Sequence, residues 1–259
     1  MLSYQHGYHA GNFADVHKHT ALCLLLDHFA SNKKIVTYLD SHAGRGFYDL
    51  SGEQSEKTSE WKDGFGKLTD QSITTKGLEL YTQAVARFQE DHTATSYPGS
   101  PALTQLLMQD NHHGVFFELH PAEFECLKEN LGSDKRLRLV YKDVQNHLAD
   151  FMPNRTQDGL LLIDPSYEIK DDYTTIAKLA TFAHKRWKAA VIMIWYPMLP
   201  ERRHEDLKAN LKGATFYELI GPMKERGMYG TGLAVINAPE GFDNAFVKAA
   251  DEMKAILFK

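Results

Sequence analysis

Three strand-to-turn junctions in this chain end on side chains able to hold a nucleoside or to activate an amine. The most specific is Leu160-Leu161-Leu162-Ile163-Asp164-Pro165-Ser166-Tyr167. An exocyclic amine conjugated to a purine is a poor nucleophile. The Asp164 carboxylate and the Pro165 carbonyl can each accept one of its N–H bonds, which turns the nitrogen lone pair toward a methyl donor. Tyr167 offers a ring on which a base taken out of its own stack can lie. Pro165 fixes the turn and has no N–H to compete.

The second junction is Tyr38-Leu39-Asp40-Ser41-His42-Ala43-Gly44-Arg45-Gly46. A glycine-rich turn between strand and helix lets a ligand approach the backbone closely. The dinucleotide fingerprint asks for a third glycine where Asp49 stands, which weakens a nicotinamide reading. The third junction is Phe116-Phe117-Glu118-Leu119-His120-Pro121. A carboxylate at such a strand tip can accept both hydroxyls of a ribose, at the sheet edge where doubly wound folds bind ligands. It would ordinarily follow the glycines by ~20 residues; an insertion accounts for the longer gap.

The N-terminal segment from Tyr4 to His19 is also unusual, because six of the chain's 13 histidines fall in the first 42 residues. His17 and His19 stand two apart in what reads as a helix start, so they point to different faces. With no His-Glu-x-x-His and no close Cys/His cluster, no metal site is expected. A polar segment packed near a ligand is the better account.

These residues need a frame to hold them. Short apolar runs alternate with amphipathic stretches, the signature of an α/β fold with a largely parallel sheet. Strands are expected at 35–40, 114–119, 137–141, 159–164, 190–196, 215–220 and 232–238, most of them continuously apolar, as in strands covered on both faces. Helical stripes run through Leu22, Leu25, Leu26 and Phe29; through Phe124, Leu127 and Leu131, between Pro121 and a terminating Gly132; through Tyr173, Ile176, Ala177 and Ala180; and through Phe242, Ala245, Phe246, Ala249 and Met253. Residues 51–100 break the rhythm with one clear helix (Leu78, Tyr81, Val85, Phe88) and the loop Ser96-Tyr97-Pro98-Gly99-Ser100. The expected organisation is therefore a main domain of residues 1–50 and 101–259 with a small helical insertion at 51–100.

Composition narrows the class. At 259 residues, 43% hydrophobic and 24% charged, the chain can bury a full core without staples. Two cysteines, Cys23 and Cys126, exclude a disulfide scaffold and a four-cysteine zinc site. The net charge of −5 does not advertise a nucleic-acid binder, but phosphate contact needs only a local patch. The pairs Lys33-Lys34, Lys135-Arg136, Lys185-Arg186, Arg202-Arg203 and Lys224 with Arg226 are the candidates. The apolar run at 21–26 is too short to span a bilayer, so no membrane partner and a cytoplasmic location are expected.

A strand ending in Asp before G-x-G is what Rossmann-like S-adenosylmethionine-dependent methyltransferases carry, and Asp-Pro-Ser-Tyr resembles the Asp-Pro-Pro-Tyr motif of amino-directed N6-adenine methyltransferases. The segments Met1-Leu2-Ser3-Tyr4, His9-Ala10-Gly11-Asn12, Asp15-Val16, Lys18-His19-Thr20, His42-Ala43-Gly44, Tyr97-Pro98-Gly99-Ser100-Pro101, Glu118-Leu119-His120-Pro121, Lys142-Asp143, Trp195-Tyr196-Pro197 and Arg226-Gly227-Met228 are similar to the RlmJ family, 23S ribosomal RNA adenine-N6 methyltransferases, over nearly the whole chain. That resemblance implies a class I S-adenosylmethionine-dependent methyltransferase fold with a mostly parallel seven-stranded sheet. It implies S-adenosyl-L-methionine as cofactor and naked or partly assembled 23S ribosomal RNA as partner, bound by a monomer.

The resemblance also implies roles. His19 and His42 would contact the cofactor, with Lys18 near its carboxylate. Ser100, as N-cap of the helix opened by Pro101, would hold the methionine end; Glu118 would take the ribose and Asp143 the adenine amino group. Asp164 would be the proton acceptor for the target amine, and Tyr4 would move over the active site to touch the base that Tyr167 stacks. Ser166 departs from the family's second proline, which puts the rate and the preferred substrate in question. A DNA adenine-N6 methyltransferase, or a non-catalytic nucleic-acid-binding protein linked to use of external DNA, are the competing readings.

Overall fold

The structure is a computed structural model that describes residues 4–31, 34–168, 171–223 and 225–259. Helix α1 (Phe13–Ala30) leads into β1 (Thr37–Asp40), then come β2 (Phe47–Asp49), α2 (Glu53–Thr58), α3 (Lys76–Asp91) and β3 (Ser96–Pro98). The chain continues through α4 (Ser100–Leu107), β4 (His113–Phe117), α5 (Pro121–Leu131), β5 (Leu137–Val140), α6 (Val144–Phe151), β6 (Gly159–Ile163) and α7 (Asp172–Arg186). It closes with β7 (Ala190–Met198), α8 (His204–Asn210), β8 (Thr215–Ile220), β9 (Gly230–Ile236) and α9 (Phe242–Leu257).

All seven expected strands join one sheet in the order β5-β4-β1-β6-β7-β9-β8, parallel except where β9 runs antiparallel to both β7 and β8. Strand order reverses between β1 and β6, so the crevice beyond their carboxyl ends is where such a sheet binds ligands. The period-2 alternation of side chains divides each central strand between two cores. Tyr38, Leu160, Leu162, Val191 and Met193 face α1, α3 and α9, whereas Leu39, Leu161, Ile163, Ile192 and Ile194 face the α7 side. Both faces are covered, which is why these strands read as unbroken apolar runs.

Helix α1 corrects the single stripe expected for it. From Ala14 to Leu26 every residue is buried, charged ones included, because α3, α4, α9 and β9 enclose it. Residues 51–100 supply much of that enclosure: Phe65, Leu68, Leu78, Tyr81 and Val85 belong to the same apolar cluster as Leu22, Leu25 and Leu26. At ~1.5–3 kcal/mol per buried leucine, this shared packing is a large part of what holds the segment in place.

Two further corrections concern the turns. Ser96–Pro98 is not a loop but strand β3, paired antiparallel with β2 in a separate ribbon with Phe47 opposite Pro98. The glycine turn therefore runs from β1 into a strand and not into a helix. Gly44 (φ +61°) and Gly46 (φ +89°) both take left-handed backbone, and a Cβ on Gly46 would meet Leu131 Cδ1 at 3.0 Å. No described helix is long and apolar enough to cross a membrane.

Candidate active site

The carboxyl ends of β1, β4 and β6, the N-terminal segment and the 227–228 loop enclose a cavity of about 590 Å³. That is within the ~300–1,000 Å³ range of small-molecule sites. Tyr4, Lys18, His19, His42, Ser100, Glu118, Asp143, Asp164 and Tyr167 all line it, so every site residue expected from the sequence converges on one place.

The floor is built by the glycine turn. Glu118, just past the end of β4, accepts the Gly44 amide at 2.7 Å on Oε2 and the His120 amide at 2.6 Å on Oε1. Burial raises its pKa, which those two N–H bonds partly offset. Each oxygen keeps a lone pair for a further donor. Arg45, between the glycines, forks onto Glu123 of α5 through Nε at 2.9 Å and Nη2 at 2.6 Å, locking the turn to that helix. His42 pairs Nδ1 with the Ser41 hydroxyl at 2.7 Å, and burial lowers its pKa to about 4, so it is neutral.

Asp40 sits one layer behind this floor. It accepts the Ser100 hydroxyl at 2.6 Å and the His42 amide at 3.0 Å, and burial pushes its pKa up to about 7. Ser100 is thus not the N-cap of α4. Gly99 holds that position, Ser100 begins the helix, and its hydroxyl is committed to Asp40. On the far side, Asp143 caps α6 by accepting Gln145 N at 2.9 Å and also takes the Asn146 amide at 2.8 Å.

The reactive corner is where the sheet meets α1. Asn12 caps that helix through the amides of Ala14 and Asp15, which sets Asp15 and Lys18 one turn apart inside the protein. The Lys18 ammonium bridges Asp15 Oδ1 at 2.9 Å and Asp164 Oδ2 at 2.5 Å. Burial alone would lower the lysine's pKa, but the two carboxylates raise it well above its ordinary value, so it is charged. Burial would likewise raise Asp15, but His6, Lys18 and His19 hold it well below the usual carboxylate range. Lys18 thus lines the cavity and is bonded to Asp164, a contact the sequence alone does not suggest. His19 hydrogen-bonds Tyr97 through Nδ1 at 3.0 Å, and burial lowers its pKa to about 3.

From Asp15 the network runs outward. His6 Nε2 lies 2.9 Å from Asp15 Oδ2, and His6 Nδ1 lies 2.9 Å from the Tyr4 hydroxyl. His6 thus bridges the Tyr4 hydroxyl to the buried Asp15 carboxylate. Tyr4 stacks on His9, whose Nδ1 meets Glu60 at 3.0 Å, so the N-terminal segment is clasped to residues 51–63. Two of the six histidines at this end, His6 and His9, are held in these carboxylate pairs. No group of three or more His, Cys, Asp or Glu among the described residues could hold a metal.

Tyr167 has φ +52°, left-handed backbone that costs a bulky residue about 1–3 kcal/mol. Its hydroxyl donates to the Trp195 carbonyl at 2.7 Å and its ring packs 4.4 Å from Tyr173, so the strained turn after Asp164 is held fixed. The residue is buried and lines the cavity. Trp195 itself lines the cavity, donates Nε1 to Thr231 at 2.8 Å and lies under the Lys18 ammonium at 5.9 Å. Asp15, His6, Tyr48 and Trp195 received no roles from the sequence; the Asp15-x-x-Lys18 spacing was the one local signal for a buried pair. Among the basic pairs, Arg136 is spent on Asp134 at 2.6 Å, while Lys33 and Lys224, with Met1, Leu2 and Ser3, lie outside the described residues.

The model of the family described as "Ribosomal RNA large subunit methyltransferase D, RlmJ" matches residues 33–259. The chain is 33% identical over 247 residues to ribosomal RNA large subunit methyltransferase J of Haemophilus influenzae, covering 92% of this chain and 88% of that protein. It is 32% identical over 246 residues to the protein of the same name from Escherichia coli K12, with the same coverage. The crystal structure of protein LPL1258 from Legionella pneumophila superposes with a TM-score of 0.88 at 28% identity, covering 96% of this chain and 94% of that one. These matches over the body of the chain, which ends β6 on the Asp-Pro turn, lead to one statement: the chain belongs to the RlmJ family of large-subunit ribosomal RNA methyltransferases.

Proposed function

We propose that this protein methylates the N6 amine of an adenine in 23S ribosomal RNA, using S-adenosyl-L-methionine, before the RNA is fully assembled into its subunit. The observation that supports it best is the position of Asp164 and Pro165 on the same cavity as Glu118, His42 and Asp143. The residues fit the cofactor: a carboxylate with spare acceptor capacity against the glycine turn for the ribose, a capping aspartate at the far end for the adenine, and neutral histidines between. Bound there, S-adenosylmethionine supplies an electrophilic methyl group.

Lys18 occupies Asp164 Oδ2, which leaves Oδ1 to accept one N–H of the target amine while the Pro165 carbonyl accepts the other. The lone pair is then turned toward the methyl group, and Asp164 takes the proton that the nitrogen releases. The ion pair with Lys18 keeps the Asp164 carboxylate oriented toward the amine. Tyr4 closes over the base from the N-terminal segment, and Tyr167 supports it. Tritiated S-adenosylmethionine with in vitro transcribed 23S ribosomal RNA tests the reading. Label should be lost on RNase treatment and recovered as N6-methyladenosine on nucleoside digestion. Label surviving RNase in genomic DNA would transfer the reaction to DNA, and cofactor binding without transfer would leave a binding protein.

A further inference from the structure

Tyr48 stands on β2, a strand the sequence did not announce, and 95% of its surface is buried because only 5% remains exposed. Its ring carbon Cε2 lies 3.2 Å from where a Cβ on Gly99 would be, and its hydroxyl lies 2.5 Å from where a Cβ on Gly44 would be. It therefore touches both backbone turns that form the cavity floor, and it lines the cavity itself. The His6 ring meets it edge-on at 5.2 Å and the Arg45 guanidinium lies 5.8 Å from its ring.

The neighbouring buried tyrosines Tyr38, Tyr81, Tyr97, Tyr167 and Tyr196 each place the hydroxyl on a protein partner. Tyr48 Oη has none among the described residues. A hydroxyl that opens on a cavity without a protein partner keeps both its donor and its acceptor for a ligand. Burial raises the Tyr48 pKa well above its ordinary value, so the group stays a neutral donor and acceptor.

The position says which part of a ligand it meets. Glu118 holds the other side of Gly44, where the ribose would lie, and Asp143 is at the adenine side. Tyr48 instead faces His6 and the start of α4 at Gly99, on the side away from the base. We infer that Tyr48 is a cofactor-binding residue whose hydroxyl bonds the amino-acid end of S-adenosylmethionine, placing the sulfur's substituents relative to Asp164. This rests on the methyltransferase reading above.

The test is calorimetric binding of S-adenosylhomocysteine and of 5′-methylthioadenosine, which lacks the amino-acid end, to wild type and Tyr48→Phe. The expected result is about tenfold weaker binding of S-adenosylhomocysteine, the scale of one hydrogen bond to a charged group, with methylthioadenosine unchanged within twofold. The ligand-free thermal midpoint should not move, because the ring and its packing remain. Equal affinities of wild type and variant for S-adenosylhomocysteine, or equal weakening of both ligands, would overturn the inference and leave the methyltransferase reading standing. A wild-type protein that binds neither ligand would remove that reading and this one with it.

Discussion

The Lys18 ammonium lies 2.5 Å from Asp164 Oδ2, with 5% of the lysine side chain and 13% of the aspartate side chain exposed. Removing one partner of a buried pair strands the other, at a cost of about 3–5 kcal/mol. Asp164→Ala leaves Lys18 with Asp15, so the fold should survive. On the proposed function the carboxylate acts on the amine in the transition state, so methyl transfer should be lost while cofactor affinity stays within a few-fold. Lys18→Met takes the ammonium from both Asp15 and Asp164, leaving Asp15 with His6 and the Gly11 amide, and should lower the thermal midpoint more than Asp164→Ala does. Turnover by tritium transfer and unfolding by calorimetry separate the two, and near-wild-type turnover in Asp164→Ala would end the N6 reading.

Glu118 does two things at once, holding the Gly44 and His120 amides and presenting its remaining lone pairs to the cavity. Glu118→Ala should weaken S-adenosylhomocysteine binding by ~1–3 kcal/mol, the scale of a hydrogen bond to a charged group. Unlike Tyr48→Phe, it should weaken methylthioadenosine by a similar factor, since that ligand keeps the ribose. Unchanged affinity for both would sink the ribose assignment.

Ser166 stands beside a tyrosine whose left-handed backbone is already held by Trp195 and Tyr173. Where the existing φ suits it, a proline adds ~0.4–1 kcal/mol by restricting the unfolded chain, and where it does not the cost is larger. Ser166→Pro should therefore keep or raise the rate on ribosomal RNA without lowering the thermal midpoint. Misfolding or complete inactivity would show that this turn differs from that of the Asp-Pro-Pro-Tyr enzymes.

What the sequence made legible follows from what each feature depends on. The seven strands were visible because strands covered on both faces are apolar throughout, a property of each strand alone. Asp164 and Glu118 were visible because they terminate such strands. The ribbon of β2 with β3 was not, because Phe47–Asp49 is three residues long and its partner lies some fifty residues on; only the pairing makes either a strand. The Lys18–Asp164 pair spans 146 positions and has no local signature. The all-round burial of α1 was hidden for the same reason: Asp15, Lys18 and His19 read as a polar face until other parts of the chain close over them.

His17 offers a pH test. It is fully buried against Phe246, neither ring nitrogen has a partner, and burial lowers its pKa to about 3. The unfolded chain takes up this proton near pH 6.5 and the folded chain does not, so stability falls as pH drops below 6.5, by about 2 kcal/mol at pH 5 from this residue. His19 and His42 act in the same direction, whereas Asp40, with its raised pKa, acts in the opposite one. His17→Leu should flatten the slope of stability between pH 6.5 and 5 by the His17 share and should not be less stable at pH 7.5. Parallel pH profiles from denaturant unfolding of the two proteins would contradict this.

The enclosure of α1 also limits how this protein can change. A helix with one solvent face has positions whose side chains meet only water, and from Ala14 to Leu26 this one has none. The same segment anchors the sheet, receives α3 and α9, and carries the lysine that fixes Asp164. A substitution at Lys18 therefore acts on the packing of α1 and on Asp164 together. Change in substrate choice falls more freely on the rim, where the 227–228 loop meets the cavity outside the apolar clusters.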